Sequence, residues 1–284
     1  MIKPITRKSM IIRESNRSSD FISPSFGFGC LLECTYCYMK RHRPKGLQYA
    51  TNTNQILDEI NSHVLFTSIE KPNQTHPFYT TYDISCNEDF ALHSKYYDWQ
   101  SIFEFFKDHN KAMATLATKI IPNNFLEYNP NEKVRIRFSM MPQDLSTILE
   151  PNTAPIIDRI KAVNTFRNAG YDVHLNFSPV VYYKNWIREY EKLFKMVDDI
   201  VEDKENVLAE VIFLTHNVKK HEYNLANNIG KEDLLWQPDF QEAKESQYGS
   251  RNIRYRYGIK REMIELFKSA HKRIIPWNTI RYIF

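Results

Sequence analysis

The sequence predicts an α/β fold, a partial (β/α)6 barrel followed by a C-terminal extension. Short apolar runs with strand character alternate with longer segments of helical period between Ile22 and Leu214, the pattern of βα units around a parallel sheet. A cysteine-rich loop follows the first such run, and α/β barrels carry their active sites at the C-terminal ends of strands. With 284 residues and 42% hydrophobic content the chain can bury a substantial core.

The elements follow in order. Ile22–Phe28 reads as the first strand. A helix capped at Thr53 runs through Ile56, Leu57 and Ile60. Phe78–Ser85 is the second strand, and Tyr97–His109 a helix with Trp99, Ile102, Phe103 and Phe106 on one apolar face. Lys111–Thr118 is the third strand, and Val134–Met140 the fourth, of alternating character. Ala154–Ala169 is a helix stopped by Gly170, a usual C-terminal signal. Val173–Val181, a helix over Asn185–Val201 and a strand over Val207–Leu214 complete the set. On this reading residues 1–216 are the barrel and 217–284 the extension.

Cys30, Cys34 and Cys37 form a C-x3-C-x2-C triplet, using three of four cysteines within eight residues. Iron–sulfur cubes usually take four thiolates, so three on one loop leave an iron open to substrate or cofactor. A structural zinc site is the alternative, with His42 as the fourth ligand. Disulfides are not expected, because so few and so crowded cysteines suit a reduced, cytoplasmic protein. No apolar segment follows Met1 and no stretch approaches 18 apolar residues, so neither secretion nor membrane spanning is expected.

A formal charge of +4 is too small to imply a polyanion partner by itself. Its distribution says more. Basic residues gather at Lys40, Arg41, His42, Arg43 and Lys45, and again at Arg251, Arg254, Arg256, Lys260 and Arg261, where Tyr255 and Tyr257 intervene. Cations with interleaved rings suit nucleic acid; a solvated face is the alternative.

The triplet, with an aromatic on each side of its last cysteine, resembles the radical S-adenosylmethionine (SAM) superfamily. Further stretches narrow the resemblance to the spore photoproduct lyase family: Cys34–Met39, Ser85–Asp89, Thr118-Lys119, Val134–Ser139, Glu150–Pro155, Ala169–Tyr171, Ser178–Val180 with Trp186, Arg256–Ile259 and Ile280–Phe284. That resemblance implies a radical SAM barrel of the partial TIM type. It also implies a [4Fe–4S] cluster on Cys30, Cys34 and Cys37, SAM on the open iron, and reversal of a methylene-bridged thymine dimer in damaged duplex DNA. An electron donor such as flavodoxin or ferredoxin is implied as well.

Residue roles follow from the same matches. Cys86 stands where the family keeps a hydrogen-atom donor, with a buried packing cysteine as the alternative. Tyr36 and Tyr38 stand where tyrosines relay the hydrogen back, or else shield the cluster. Lys119 and Ser139 match SAM-contacting positions, with a merely solvated side chain as the alternative for either. Glu88 replaces a family serine and is expected to hold the SAM ammonium through a charge-assisted bond; a surface carboxylate is the other reading. Arg254, Arg256, Tyr257 and Lys260 resemble a DNA-contacting hairpin that helps extrude the lesion. The family carries an extra domain ahead of its cysteine motif, whereas 29 residues precede Cys30 here, and 219–247 diverges. A trimmed relative is therefore expected, with another nucleic-acid base, a nucleotide or a peptide as alternative substrates. A nucleic-acid-binding protein with a structural metal is the non-enzyme alternative.

Overall fold

The computed structural model of the chain describes residues 2–15, 17–39, 46–245 and 251–284. The basic residues Lys40–Lys45, including His42, lie outside the described residues. Two compact units emerge: 1–31, 42–138 and 162–174 form the first, and 32–41, 139–161 and 175–284 the second.

The first unit contains strands β1 (Ile2–Ile5), β2 (Arg13–Glu14), β3 (Phe21–Ile22), β4 (Gly27–Phe28) and β5 (Leu47–Ala50), then helix α1 (Thr53–Phe66). Strand β6 (Thr80–Asp83), helices α2 (Phe90–His93) and α3 (Trp99–Asp108), β7 (Ala112–Thr118) and β8 (Val134–Ser139) follow. A parallel ladder β3-β6-β7-β8 is its spine. The expected first strand is in fact two. Phe21–Ile22 pairs with β6, while Gly27–Phe28 pairs antiparallel with β5 in a separate sheet. Pro24 lies between them and has no N–H to give a ladder.

Helix α1 begins one residue beyond its cap, which is Asn52 and not the expected Thr53. The Asn52 side chain is committed elsewhere, to the backbone N–H and carbonyl of Arg7 at 2.7 and 3.0 Å. Strand β8 corrects a different inference. Its alternation does not separate core from solvent, since all six residues are buried. Arg135 pairs with Asp172 at 2.7 Å and Arg137 with Asp83 at 2.6 Å. A buried guanidinium is tolerated when paired and hydrogen-bonded, so both faces of the strand can turn inward.

The second unit holds helix α4 (Gln143–Leu149) and most of strand β9 (Asp172–Val180), with α5 (Ile156–Asn168) shared between the two sets of residues. Helix α5 does stop at Gly170, which takes φ +88°. Next come α6 (Trp186–Ile200), β10 (Ala209–Phe213), β11 (Thr215–His216), α7 (Val218–Ala226), α8 (Glu232–Leu235), β12 (Gln241–Glu245), β13 (Arg251–Tyr255), α9 (Tyr257–Ile274) and β14 (Ile280–Ile283). Strand β10 runs parallel between β9 and β14, so the stretch Ile280–Phe284 that resembles the family supplies a strand of this ladder. Helices α6 and α9 cover this part through Tyr190, Phe194 and Phe267, whose rings meet at 5.2–6.0 Å. The basic-aromatic segment 254–260 lies in a hairpin only through Arg254 and Tyr255, on β13. The hairpin is β12-β13; Arg256 then caps α9, and Tyr257 and Lys260 fall on its first turns.

Candidate active site

In the first unit, the loop after β6 carries the expected thiol. Cys86 is half-buried, and the Arg13 guanidinium donates to its Sγ at 3.4 Å. Burial, aided by nearby Asp83, pushes the thiol above its ordinary pKa, and Arg13 opposes this without prevailing. Such a thiol keeps its hydrogen at neutral pH, the form a hydrogen-atom donor requires. The loop is fixed at several points. Asp83 receives Arg137 on one oxygen and the Ser85 N–H on the other at 2.8 Å. The Gly29 N–H donates to the Asn87 carbonyl at 2.9 Å, tying the start of the cysteine loop, next to half-buried Cys30, to the Cys86 loop.

Glu88 is not a surface carboxylate. Its side chain is fully buried, and Oε2 accepts from the Tyr97 hydroxyl and lies 2.9 Å from His93 Nδ1. Oε1 is buried and has no hydrogen-bond partner among the described residues. Burial raises the carboxyl above its ordinary range, against the bonds from His93 and Tyr97. A Cβ on Gly27 would come within 2.1 Å of the Tyr97 hydroxyl and 2.2 Å of Glu88 Oε2, so only glycine leaves room for this carboxylate.

Asp89 has a structural role that no sequence expectation assigned to it. Its carboxylate accepts from the Thr118 hydroxyl at 3.0 and 3.1 Å, the Lys119 N–H at 3.2 Å and the Leu92 N–H at 3.1 Å. It thereby caps α2 and holds the end of β7, where half-buried Lys119 stands. The sequence does carry a signal for this: an Asp three residues before the amide it caps, next to a short apolar run.

In the second unit, Cys34 is buried and Cys37 half-buried, and the Cys37 N–H closes a turn on the Cys34 carbonyl at 3.0 Å. The turn is held from two directions. The Thr35 N–H donates to the Leu149 carbonyl at 2.8 Å at the end of α4. From α7, Asn224 donates to the Thr35 carbonyl at 3.1 Å and Lys220 to the Tyr36 carbonyl at 3.3 Å. Tyr36 donates its hydroxyl to Glu150 Oε1, while Glu150 Oε2 pairs with fully buried Arg159 at 3.0 Å. Burial first, then the Glu150 charge, holds the phenol well above its ordinary pKa. Tyr38 is 41% exposed. Ser139 is buried; its hydroxyl lies 3.4 Å from Asn176 Nδ2, and its carbonyl accepts from Arg159 at 2.8 Å.

Of the four expected nucleic-acid residues, three share one wall. Arg254, Tyr257 and Lys260, with Lys244, Arg261 and Phe284, line a cavity of about 410 Å³. Tyr257 is 69% exposed. Arg256 is differently employed, donating to the Gln241 and Pro238 carbonyls at 3.1 Å each.

Comparison with known proteins bears on this arrangement. Residues 5–284 match the family model described as spore photoproduct lyase. Similar curated proteins include the spore photoproduct lyases of Bacillus subtilis (strain 168), 23% identical over 97% of this chain and 80% of the relative, and of Clostridium acetobutylicum, 26% identical over 90% and 74%. Among solved structures, a spore photoproduct lyase complexed with dinucleoside spore photoproduct aligns with TM-score 0.88 and 18% identity, covering 100% of this chain and 82% of that one. A mutant form with bound AdoMet and the same dinucleoside aligns equally well, at 0.88 and 18%. At this identity the likeness speaks for the fold, and the expected α/β partial barrel is the fold found.

Proposed function

The chain belongs to the spore photoproduct lyase family, and from that premise we propose that it is a radical SAM lyase that reverses a methylene-bridged thymine dimer in damaged DNA. The observation that carries this reading is Cys86, a half-buried thiol on the loop after β6 with the Arg13 guanidinium 3.4 Å from its sulfur. Packing alone does not call for a guanidinium at the sulfur.

The donor set fits the cofactors. Three cysteine sulfurs within eight residues, one buried and two half-buried, would hold a [4Fe–4S] cluster with one iron left for SAM. Lys119 would meet the SAM carboxylate and Ser139 its ribose or carboxylate. Glu88 Oε1, buried and unpartnered among the described residues, would take the ammonium. When bound, this pair supplies a 5′-deoxyadenosyl radical through one-electron cleavage of the sulfonium. The remaining work belongs to side chains. Cys86 would give its hydrogen atom to the fragmented thymine radical, and Tyr36 or Tyr38 would give its phenolic hydrogen to the resulting Cys86 thiyl, the phenoxyl then recovering the hydrogen that the cofactor took from the substrate. Arg254, Tyr257 and Lys260 meet the phosphates and bases of the duplex, with Arg256 positioning that wall.

We assign residues 1–216 to the catalytic barrel and 217–284 to an extension that braces the cysteine turn and carries the duplex-facing wall. A reduced flavodoxin or ferredoxin is the proposed electron source, and the cytoplasm the proposed compartment, since the thiolates need reducing conditions. Among the described residues no helix is long and apolar enough to cross a membrane.

The decisive assay is anaerobic incubation of iron-loaded protein with SAM, reductant and dinucleoside spore photoproduct, read by mass spectrometry. Loss of photoproduct with recovery of the thymine dinucleotide is expected. Formation of 5′-deoxyadenosine while the photoproduct stays intact would overturn the substrate assignment.

A further inference from the structure

Besides Lys220 and Asn224, helix α7 carries His221, which faces a cluster for which the lyase chemistry has no use. His221 Nδ1 lies 2.5 Å from Glu232 Oε2, at the start of α8. His216 Nε2, from β11, lies 3.1 Å from the same oxygen. The three ligand atoms all fall within 4.8 Å of one another. His216 is fully buried, and the Glu232 side chain is 11% exposed.

We propose that His216, His221 and Glu232 form a binding site for a divalent transition metal, with zinc the best-fitting ion, distinct from the cysteine triplet. Two imidazoles and a carboxylate are a zinc donor set that leaves a fourth position for water. Tetrahedral zinc with bonds of about 2.0–2.2 Å sets its ligand atoms roughly 3.3 Å apart; His216 stands close to that spacing from Glu232 at 3.1 Å, and His221 nearer at 2.5 Å. The donors come from three different elements yet converge on one oxygen, and each is held from behind. Glu232 Oε1 accepts from Asn224, which turns Oε2 toward the two rings. The His221 ring stacks on Trp236 with centroids 4.3 Å apart and 11° between planes. The His216 ring meets Trp236 edge-on at 5.8 Å. Its other nitrogen, Nδ1, is buried without a hydrogen-bond partner among the described residues, so packing on Trp236 holds this ring and no hydrogen bond behind it does. Orienting contacts behind the ligands are how metal sites are prepared.

The site is connected to the cysteine turn. Asn224 joins the Glu232 carboxylate to the Thr35 carbonyl, and Lys220 on the same helix holds the Tyr36 carbonyl. An ion on His216, His221 and Glu232 would fix α7 and with it the backbone between Cys34 and Cys37. Its role is that of a clamp on the cysteine turn.

The test uses wild-type protein grown with added zinc and loaded with iron, read by elemental analysis and zinc K-edge absorption. A single zinc per chain is expected, with a nitrogen and oxygen shell at about 2.0–2.1 Å and no sulfur shell near about 2.3 Å. Zinc misplaced on the cysteines would show that sulfur shell. In Glu232→Gln and His221→Ala, zinc occupancy should fall at least tenfold, and iron should leave faster on dialysis against chelator. Glu232→Gln preserves shape and the Asn224 contact, so it reads the site where His221→Ala fails to fold; the wild-type edge decides where neither folds. Absence of zinc from wild type, a sulfur shell, or unchanged zinc in a folded Glu232→Gln would each overturn the proposal. None of these readouts uses SAM cleavage, so failure here leaves the lyase assignment standing, and failure there leaves the zinc result intact.

Discussion

The chemistry proposed for Cys86 makes a demand at the scale of one atom. The sulfur must carry a hydrogen when the substrate radical appears, and burial beside Asp83 favours that form despite Arg13. Cys86→Ala should still form 5′-deoxyadenosine and still consume photoproduct, because the thiol acts after bond fragmentation. The product radical would then be quenched by solvent-borne reductant, giving dithionite adducts in place of clean thymine. Mass spectra of the two reactions decide this, and identical products from a folded variant would return Cys86 to packing. Glu88 demands a different separation of roles. Glu88→Gln keeps the shape of the side chain and removes the charge, so SAM affinity should fall by about 1.5–3 kcal/mol, the range for hydrogen bonds to charged groups, with cluster content unchanged. Equal affinity by titration would confine Glu88 to its bonds with His93 and Tyr97.

At the scale of elements, the buried arginines of β8 connect sequence, packing and pH. Burial raises the Asp172 carboxyl, but the Arg135 guanidinium and nearby His174 outweigh it and leave the carboxyl below its ordinary range. A carboxyl lowered in the folded state adds stability above its unfolded pKa, and that stability is lost as pH falls through the folded value. Asp172→Asn should therefore be less stable than wild type near neutral pH, and the difference should shrink below about pH 4, as chemical denaturation at a series of pH values would show. The pair also explains what the sequence could and could not reveal. The helices α3, α5 and α6 are legible to within about two residues because each repeats large apolar side chains at helical spacing. The alternation of Val134–Ser139 correctly signals a strand but not its surroundings, because Asp83 and Asp172, its partners, are far away in sequence. Helix α4 escapes notice because its seven residues lie between Pro142 and Glu150-Pro151 and offer too few turns for a period. The cysteine triplet is plain from spacing alone, whereas its supports, Lys220 and Asn224, lie 184 and 189 residues beyond the carbonyls they hold.

At the scale of the whole molecule the small formal charge of +4 conceals a local concentration, and the wall of Arg254, Tyr257 and Lys260 is where the proposed duplex contact draws on it. Removing one cation from a duplex phosphate lowers the slope of log affinity against log salt by about 0.9. Arg254→Ala combined with Lys260→Ala should therefore weaken binding to damaged duplex and flatten that slope by about 2, while SAM cleavage without substrate persists. Arg256→Ala supplies the internal contrast. Its guanidinium is bound to the Gln241 and Pro238 carbonyls, so its removal should cost about 0.5–1.5 kcal/mol of stability, the net worth of hydrogen bonds that water can replace, and leave the salt slope nearly unchanged. Fluorescence anisotropy across a salt titration, with thermal melts of the same proteins, distinguishes the two. If the double variant overlaid wild type while Arg256→Ala flattened the slope, the duplex would be meeting the outer side of the β13–α9 junction instead of the cavity wall.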